Sequence, residues 1–151
     1  MLAVSKVIAE EVLTIFRAVL DGPLGVNDKV NFNTLGKDKS RLYEECVTRL
    51  LASDDIVVEL LVNHYVIFVE SGRRAGARRP PFQPIYEWAK RKGLPTDNGF
   101  IWSVIQSIVN EGISPRPVIS KMFEIIDKRW ESEWSDMIFD EIIKELDEIF
   151  K

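Results

Sequence analysis

The sequence predicts an α+β fold that is predominantly helical: several amphipathic helices around a small β-element, with a long C-terminal helix or a broken helix pair at the end. Three observations predict it. Apolar residues recur at helical spacing through most of the 151 residues, one short β-branched run interrupts them, and Gly or Pro punctuates the chain between the periodic stretches.

Taken in order, Val4, Ile8, Val12, Ile15 and Val19 form one row, flanked by Leu13, Phe16 and Leu20, while Lys6, Glu10, Thr14, Arg17 and Asp21 fall on the opposite side. That is an amphipathic helix, and Gly22 followed by Pro23 ends it. The stretch 22–37 carries Gly, Asn and Asp together with Val26, Val30, Phe32 and Leu35. It is too apolar for a solvated linker, so an ordered arm or loop is expected. A second helix is expected from Ser40 to Ala52, with Leu42, Cys46, Val47, Leu50 and Leu51 inward and Arg41, Glu44, Glu45 and Thr48 outward. Ser53, Asp54 and Asp55 break the pattern. Ile56 to Val62 is β-branched over a strand-like length and predicts a strand.

From His64 to Ser71 two readings stand: Val66, Ile67 and Val69 favour a strand, while Asn63 as an N-cap and Gly72 as a stop favour a short helix, to which the pattern leans. Arg73 to Pro81 is a basic loop. Pro84 suits the first turn of a helix carrying Ile85, Trp88 and Ala89 to Gly93. Asn98 can cap the next helix, in which Phe100, Ile101, Val104, Ile105, Ile108 and Val109 form a broad stripe that predicts a central place in the core. After the rigid Ser114-Pro115-Arg116-Pro117 connection, Met122, Ile125, Ile126, Trp130, Trp134, Ile138, Ile142, Leu146 and Ile149 continue the period to the end.

Composition bounds function. A chain of this length buries about two thirds of its unfolded surface, so one structural domain over 1–151 is expected, with residues 120–151 as its acidic C-terminal helical region. With one cysteine, Cys46, and one histidine, His64, neither an internal disulfide nor a structural zinc site is expected. A reducing cytoplasm fits, and no cofactor is expected. Lys6, Glu10, Glu11 and Arg17 interrupt the first twenty residues, so nothing there reads as a signal peptide or a membrane span. No Ser, Cys or Thr is paired with a base in the manner of nucleophilic catalysis, and no glycine cluster precedes a helix to cradle phosphate. No enzymatic activity is expected. His64 reads as structural or solvent-facing, Cys46 as a small core residue, and the adjacent acids (Glu10 and Glu11, Glu44 and Glu45, Glu131 and Glu133) as solvated faces.

The charge distribution is more informative than its net value of -4. Arg73, Arg74, Arg78 and Arg79 share one loop, followed by Lys90, Arg91 and Lys92. In the C-terminal third, Glu124, Asp127, Glu131, Glu133, Asp136, Asp140, Glu141, Glu145, Asp147 and Glu148 outnumber Lys121, Lys128, Arg129, Lys144 and Lys151. A basic middle and an acidic tail suit head-to-tail docking of copies, the geometry that closes rings. The same basic region also reads as plain solvated surface or, with Phe82, Tyr86 and Trp88 beside it, as a site of phosphate neutralisation and base stacking, although the helical spacing of those aromatics fits core or interface residues more economically. Trp130 and Trp134, one helical turn apart, read either as buried core or as a partner-binding stripe.

The order of residues from Asn63 to Val118 resembles the neck and tail-completion proteins of tailed bacteriophages. It runs Tyr65-Val66-Ile67-Phe68-Val69-Glu70-Ser71-Gly72-Arg73-Arg74, Gly76, Pro80-Pro81, Ile85, Trp88, the Lys90 to Gly93 turn, the Phe100 to Gly112 helix and Arg116-Pro117. Where that family tends to have Phe after the Arg-Pro pair, this chain has Val118, and its acidic, Trp-bearing C-terminus and its arm after Gly22 have no counterpart there. The resemblance covers about a third of the chain. It implies a small α+β subunit of the virion that assembles into a hexameric or dodecameric ring between portal and tail, through which the genome passes. Its partners would be copies of itself and other portal, connector or tail proteins, assembled in the host bacterial cytoplasm. Glu70, Arg73, Arg74, Arg78, Arg79, Arg116, Trp130 and Trp134 are then the candidate subunit-interface residues. Glu70 beside Arg73 and Arg74, with Arg116 returning later, suggests an ion-pair network that holds the loop or crosses a subunit boundary.

Overall fold

The structure is a computed structural model that describes residues 2–22, 35–37, 40–52 and 56–151. Helix α1 (Leu2–Asp21) is the element on which both strands of the hairpin, the helix that follows Pro117 and the start of the last helix pack. Ile8, Ala9, Val12, Phe16, Val19 and Leu20 are buried along it, the face that their spacing of three and four residues dictates. It stops at Gly22, whose N–H donates to the Ala18 carbonyl at 3.0 Å. Most of the arm expected over 22–37 lies outside the described residues. Of its end, Leu35 is buried in the core and the Lys37 N–H donates to Asp21 Oδ1 at 2.9 Å.

The helix expected over 40–52 is much shorter. α2 (Arg41–Glu45) is a single turn opened by Ser40, and Cys46 is already extended at φ -70°, ψ 134°. Val47–Ala52 forms strand β1, which pairs antiparallel with β2 (Ile56–Leu61), the strand that the sequence predicts. Two-residue alternation decides the matter: Thr48, Leu50, Val58 and Leu60 share one side of the hairpin, where Val58 and Leu60 pack against the core. Val47, Leu51, Val57 and Leu61 share the exposed side, around an Arg49–Glu59 pair at 2.6 Å. A helical reading of the same apolar residues misses this because β1 gains its six backbone pairs from a partner strand, which local periodicity does not register.

α3 (Val66–Ser71) follows, with Gly72 at φ 65° as its stop. Asn63 lies just ahead of it, accepting from the Tyr65 N–H with its side chain and from the Val66 N–H with its carbonyl. α4 (Phe82–Arg91) and α5 (Asn98–Glu111) pack on each other. The cap of α5 is Asp97 rather than Asn98, its Oδ2 accepting from the Phe100 N–H at 3.0 Å. α6 (Val118–Arg129) leads through a π turn (Trp130–Trp134) directly into α7 (Ser135–Ile149), so the C-terminus is one continuous helical run with an interruption.

Among the described residues the apolar interior has two parts. α1, α2, the hairpin, α3 and α6 enclose Phe16, Leu20, Leu42, Cys46, Val66, Val118 and Met122. This core runs on, through Ile15, Leu60 and Ile126, to Ile8, Val12 and Trp134. Ala89, Ile101 and Ile105 form a separate cluster between α4 and α5. The α5 stripe is therefore not central, contrary to its breadth: it is satisfied by Phe82, Ile85, Tyr86 and Trp88 of α4. An amphipathic stripe states that a helix has a partner, and the nearest amphipathic helix along the chain supplied it.

Candidate subunit interface

The candidate residues start at the end of α3. Glu70 does not reach for the arginines beside it. Its carboxylate accepts from the backbone N–H of Ile119 at 2.8 Å and of Ser120 at 3.3 Å, and from the Ser120 hydroxyl. These are first-turn groups of α6, which begins after Pro117 without a side-chain cap of its own. A carboxylate delivered from 49 residues earlier satisfies orphan donors and complements the positive end of the helix dipole. The expected network of Glu70 with Arg73 and Arg74 gives way to this role because the first-turn N–H groups of a helix have no partner within the helix, whereas an ion pair with an exposed guanidinium such as that of Arg74 brings little.

Beyond Gly72 the loop is clamped to the end of α5. Arg73 and Ile113 exchange both backbone hydrogen bonds, at 2.8 and 2.7 Å, and the Gly76 N–H donates to the Val109 carbonyl at 2.7 Å. Close approach of the two chains explains two glycines. A Cβ on Gly72 would stand 2.5 Å from the Ile113 carbonyl oxygen, and one on Gly112 would collide with the Arg73 carbonyl; both have positive φ. Arg116 is half-buried, with its N–H donated to the Val69 carbonyl at 2.9 Å. Arg73 is half-buried as well, its Nε enclosed without a hydrogen-bond partner.

Three of the loop arginines reach the surface: Arg74, Arg78 and Arg79 are exposed. Arg79 lies over the Trp102 ring, 5.4 Å from its centroid, and Trp102 in turn is 5.4 Å from the ring of Phe82, which stacks on Tyr86 at 6.3 Å. The result is an aromatic shelf across α4 and α5 with a cationic rim. Lys90, Arg91 and Lys92 extend the basic surface at the far end of α4, where positive charge also suits the helix C-terminus. A cleft of about 580 Å³ between α2, Asn63 to Tyr65 and α4 contains Trp88, Arg41 and Arg91 at its wall. Arg41 there is engaged with Glu45 at 2.7 Å, and Tyr65 accepts from the Leu42 N–H at 3.0 Å. Burial holds the Tyr65 hydroxyl above its ordinary pKa.

The two tryptophans separate. Trp134 is 2% exposed and Trp130 52%. In an unbroken α-helix the residue seven after Ile126 would share its face, and that residue is Glu133. The π turn carries one extra residue, so Trp134 takes the inward place instead and packs with Ile8 and Val12. Its indole N–H donates to Glu11 Oε2 at 2.7 Å, and Arg129 donates to the same oxygen at 2.8 Å while also pairing with Glu133. Desolvation pushes the Glu11 pKa up, but the hydrogen bonds from Arg129 and Trp134 and the charge of Arg129 outweigh it and hold the carboxyl below its ordinary value. Glu11 escaped the sequence reading, which took it for a solvated acid. Its one legible signal was its place beside Val12 on the buried edge of α1.

Past the π turn, burial ends. No residue of α7 is buried. Met137 and Ile138 still pack on the Trp134 cluster, but Phe139, Ile142, Ile143, Leu146, Ile149 and Phe150 are exposed along one stripe.

No helix among the described residues is long and apolar enough to cross a membrane. Among the described residues, no group of three or more His, Cys, Asp or Glu is placed to hold a metal ion. No family model, no curated protein and no solved structure matches the chain.

Proposed function

We propose that the chain is a non-enzymatic structural subunit of a tailed-bacteriophage particle, a ring-forming component of the head-to-tail joint. The observation that carries the self-assembling part of this reading is the separation of two exposed, complementary surfaces. The basic rim of Arg74, Arg78 and Arg79 lies on the α4–α5 side, and an acidic helix with an open apolar stripe, α7, lies at the C-terminus. Two different surfaces on one subunit make heterologous contacts, which generate a ring when the rotation closes. The resemblance of Asn63 to Val118 to neck and tail-completion proteins supplies the particle. The clamped loop between Gly72 and Gly76 and the fixed Pro115–Pro117 connection suit a rigid docking surface.

Mass measurement and cross-linking of purified particles test the proposal: the protein is expected in many copies, in a closed set near the portal. Absence from particles, or one or two copies, sinks it.

A second reading, nucleic-acid binding through the basic 73–92 region, is favoured by the exposure of three arginines in one loop beside Trp102. Titration against duplex DNA at two salt concentrations decides it, since each phosphate contact lowers log K by about 0.9 per decade of salt. A flat response removes this reading.

A further inference from the structure

The open stripe of α7 has a definable occupant. At 100° per residue, Phe139, Ile142, Ile143, Leu146, Ile149 and Phe150 cover one side of the helix, away from the Met137 contact with the core, while Ile138 at the edge of the same stripe packs where the helix leaves the core. Asp136, Asp140 and Asp147 line one edge of this stripe and Glu145 the other, with Glu141 and Glu148 beyond it, while Lys144 and Lys151 fall on the side away from it. Pairing two copies of α7 along their stripes would set acidic edges against each other, a repulsive arrangement. The fitting surface is apolar at its centre and basic at its rim. The shelf of Trp102, Phe82 and Tyr86, with Arg79 over Trp102 and with Arg74 and Arg78 exposed in the same loop, has that composition. Trp102 is 44% exposed and the α7 stripe is exposed as well, so within one copy neither covers the other.

We propose that α7 is the arm by which one copy holds the next: its apolar stripe lies on the α4–α5 shelf of the neighbouring copy, with its acidic edges against the arginines of that shelf. Trp102 is the anchor, being a large aromatic ring already fixed between Arg79 and Phe82 and so costing little entropy to immobilise. The inference rests on the reading of the chain as a self-assembling subunit and names the contact through which it assembles.

The test is sedimentation of the full-length chain at matched concentrations. Wild type is expected to self-associate. The α7 double variant I142D/L146D and the shelf variant R78E/R79E are each expected to weaken association by at least about tenfold, with helical circular dichroism retained because all four positions are exposed. Adding D140K/E145K to R78E/R79E is expected to restore association, which a merely structural effect would not do. The proposal is overturned if wild type stays monomeric at its solubility limit, if either double variant associates as wild type does, or if the charge exchange fails to restore binding. Incorporation of I142D/L146D protein into particles at normal copy number would leave the ring reading standing and remove this contact.

Discussion

α6 and α7 are one continuous helical run on either side of a π turn, and they meet the rest of the molecule in opposite ways. α6 buries Val118 and Met122 against α1 and α3 and has its N-terminus capped by Glu70 from another element. α7 repeats the same amphipathic pattern yet has no fully buried residue, with only Met137 and Ile138 at its start packing on the core. The difference teaches that periodicity reports a stripe and not what covers it. Trp134 and Trp130 mark the boundary. They are the same residue type, four positions apart, and the extra residue of the π turn sends one inward and leaves the other in solvent.

The strongest way to break that comparison is Trp134→Ala. Loss of a fully enclosed aromatic side chain is expected to cost about 3–5 kcal/mol, read as a fall in the urea midpoint with unchanged slope. A cost under about 1 kcal/mol would mean that the seam between α1 and the C-terminal helix contributes little. Next in size is Glu70→Ala, which strips α6 of its cap and should cost about 1–2 kcal/mol. Thermal unfolding should find Glu70→Gln between it and wild type, since the amide still accepts but carries no charge.

Glu11 gives a pH-dependent version of the same test. Its folded pKa is lowered, so its contribution is complete above the ordinary carboxylate value of 4.5 and is lost as pH falls below that through the folded value. The stability difference between wild type and Glu11→Gln is therefore expected to be flat from neutral pH down to about 4.5 and to shrink in more acidic solution. A difference that grows on acidification would contradict the hydrogen bonds from Arg129 and Trp134 as its source. The smallest effect is expected at the exposed tryptophan: Trp130→Ala should change stability by less than about 0.5 kcal/mol in the same urea experiment. A loss comparable to that of Trp134→Ala would erase the distinction between the two sides of the π turn.

Much of the fold was legible in the residues alone, and for local reasons. α1 and its stop at Gly22, the strand at Ile56, the short helix ending at Gly72, and α4 and α5 all follow from spacing, glycine conformation and proline geometry within a few residues of each element. β1 was not legible, because its apolar residues also fit a helical stripe and only pairing with β2, the strand that follows, fixes Val47 to Ala52 as extended. Of the candidate interface, the exposed arginines were readable from their density in one loop. The use of Glu70 as a cap on α6 was not, since its partners lie 49 and 50 residues away.

By itself, then, the sequence determined the class of fold, the segregation of basic from acidic surface and the amphipathic character of each helix, because these depend on residue type and short spacing. The tertiary structure alone decided which stripes are covered. It gave α5 to α4 rather than to the central core, turned Trp134 inward through one extra residue, spent Glu70 on a helix end and left α7 open. Those outcomes depend on which surfaces the chain brings together at long range, and periodicity along a single helix carries no record of that.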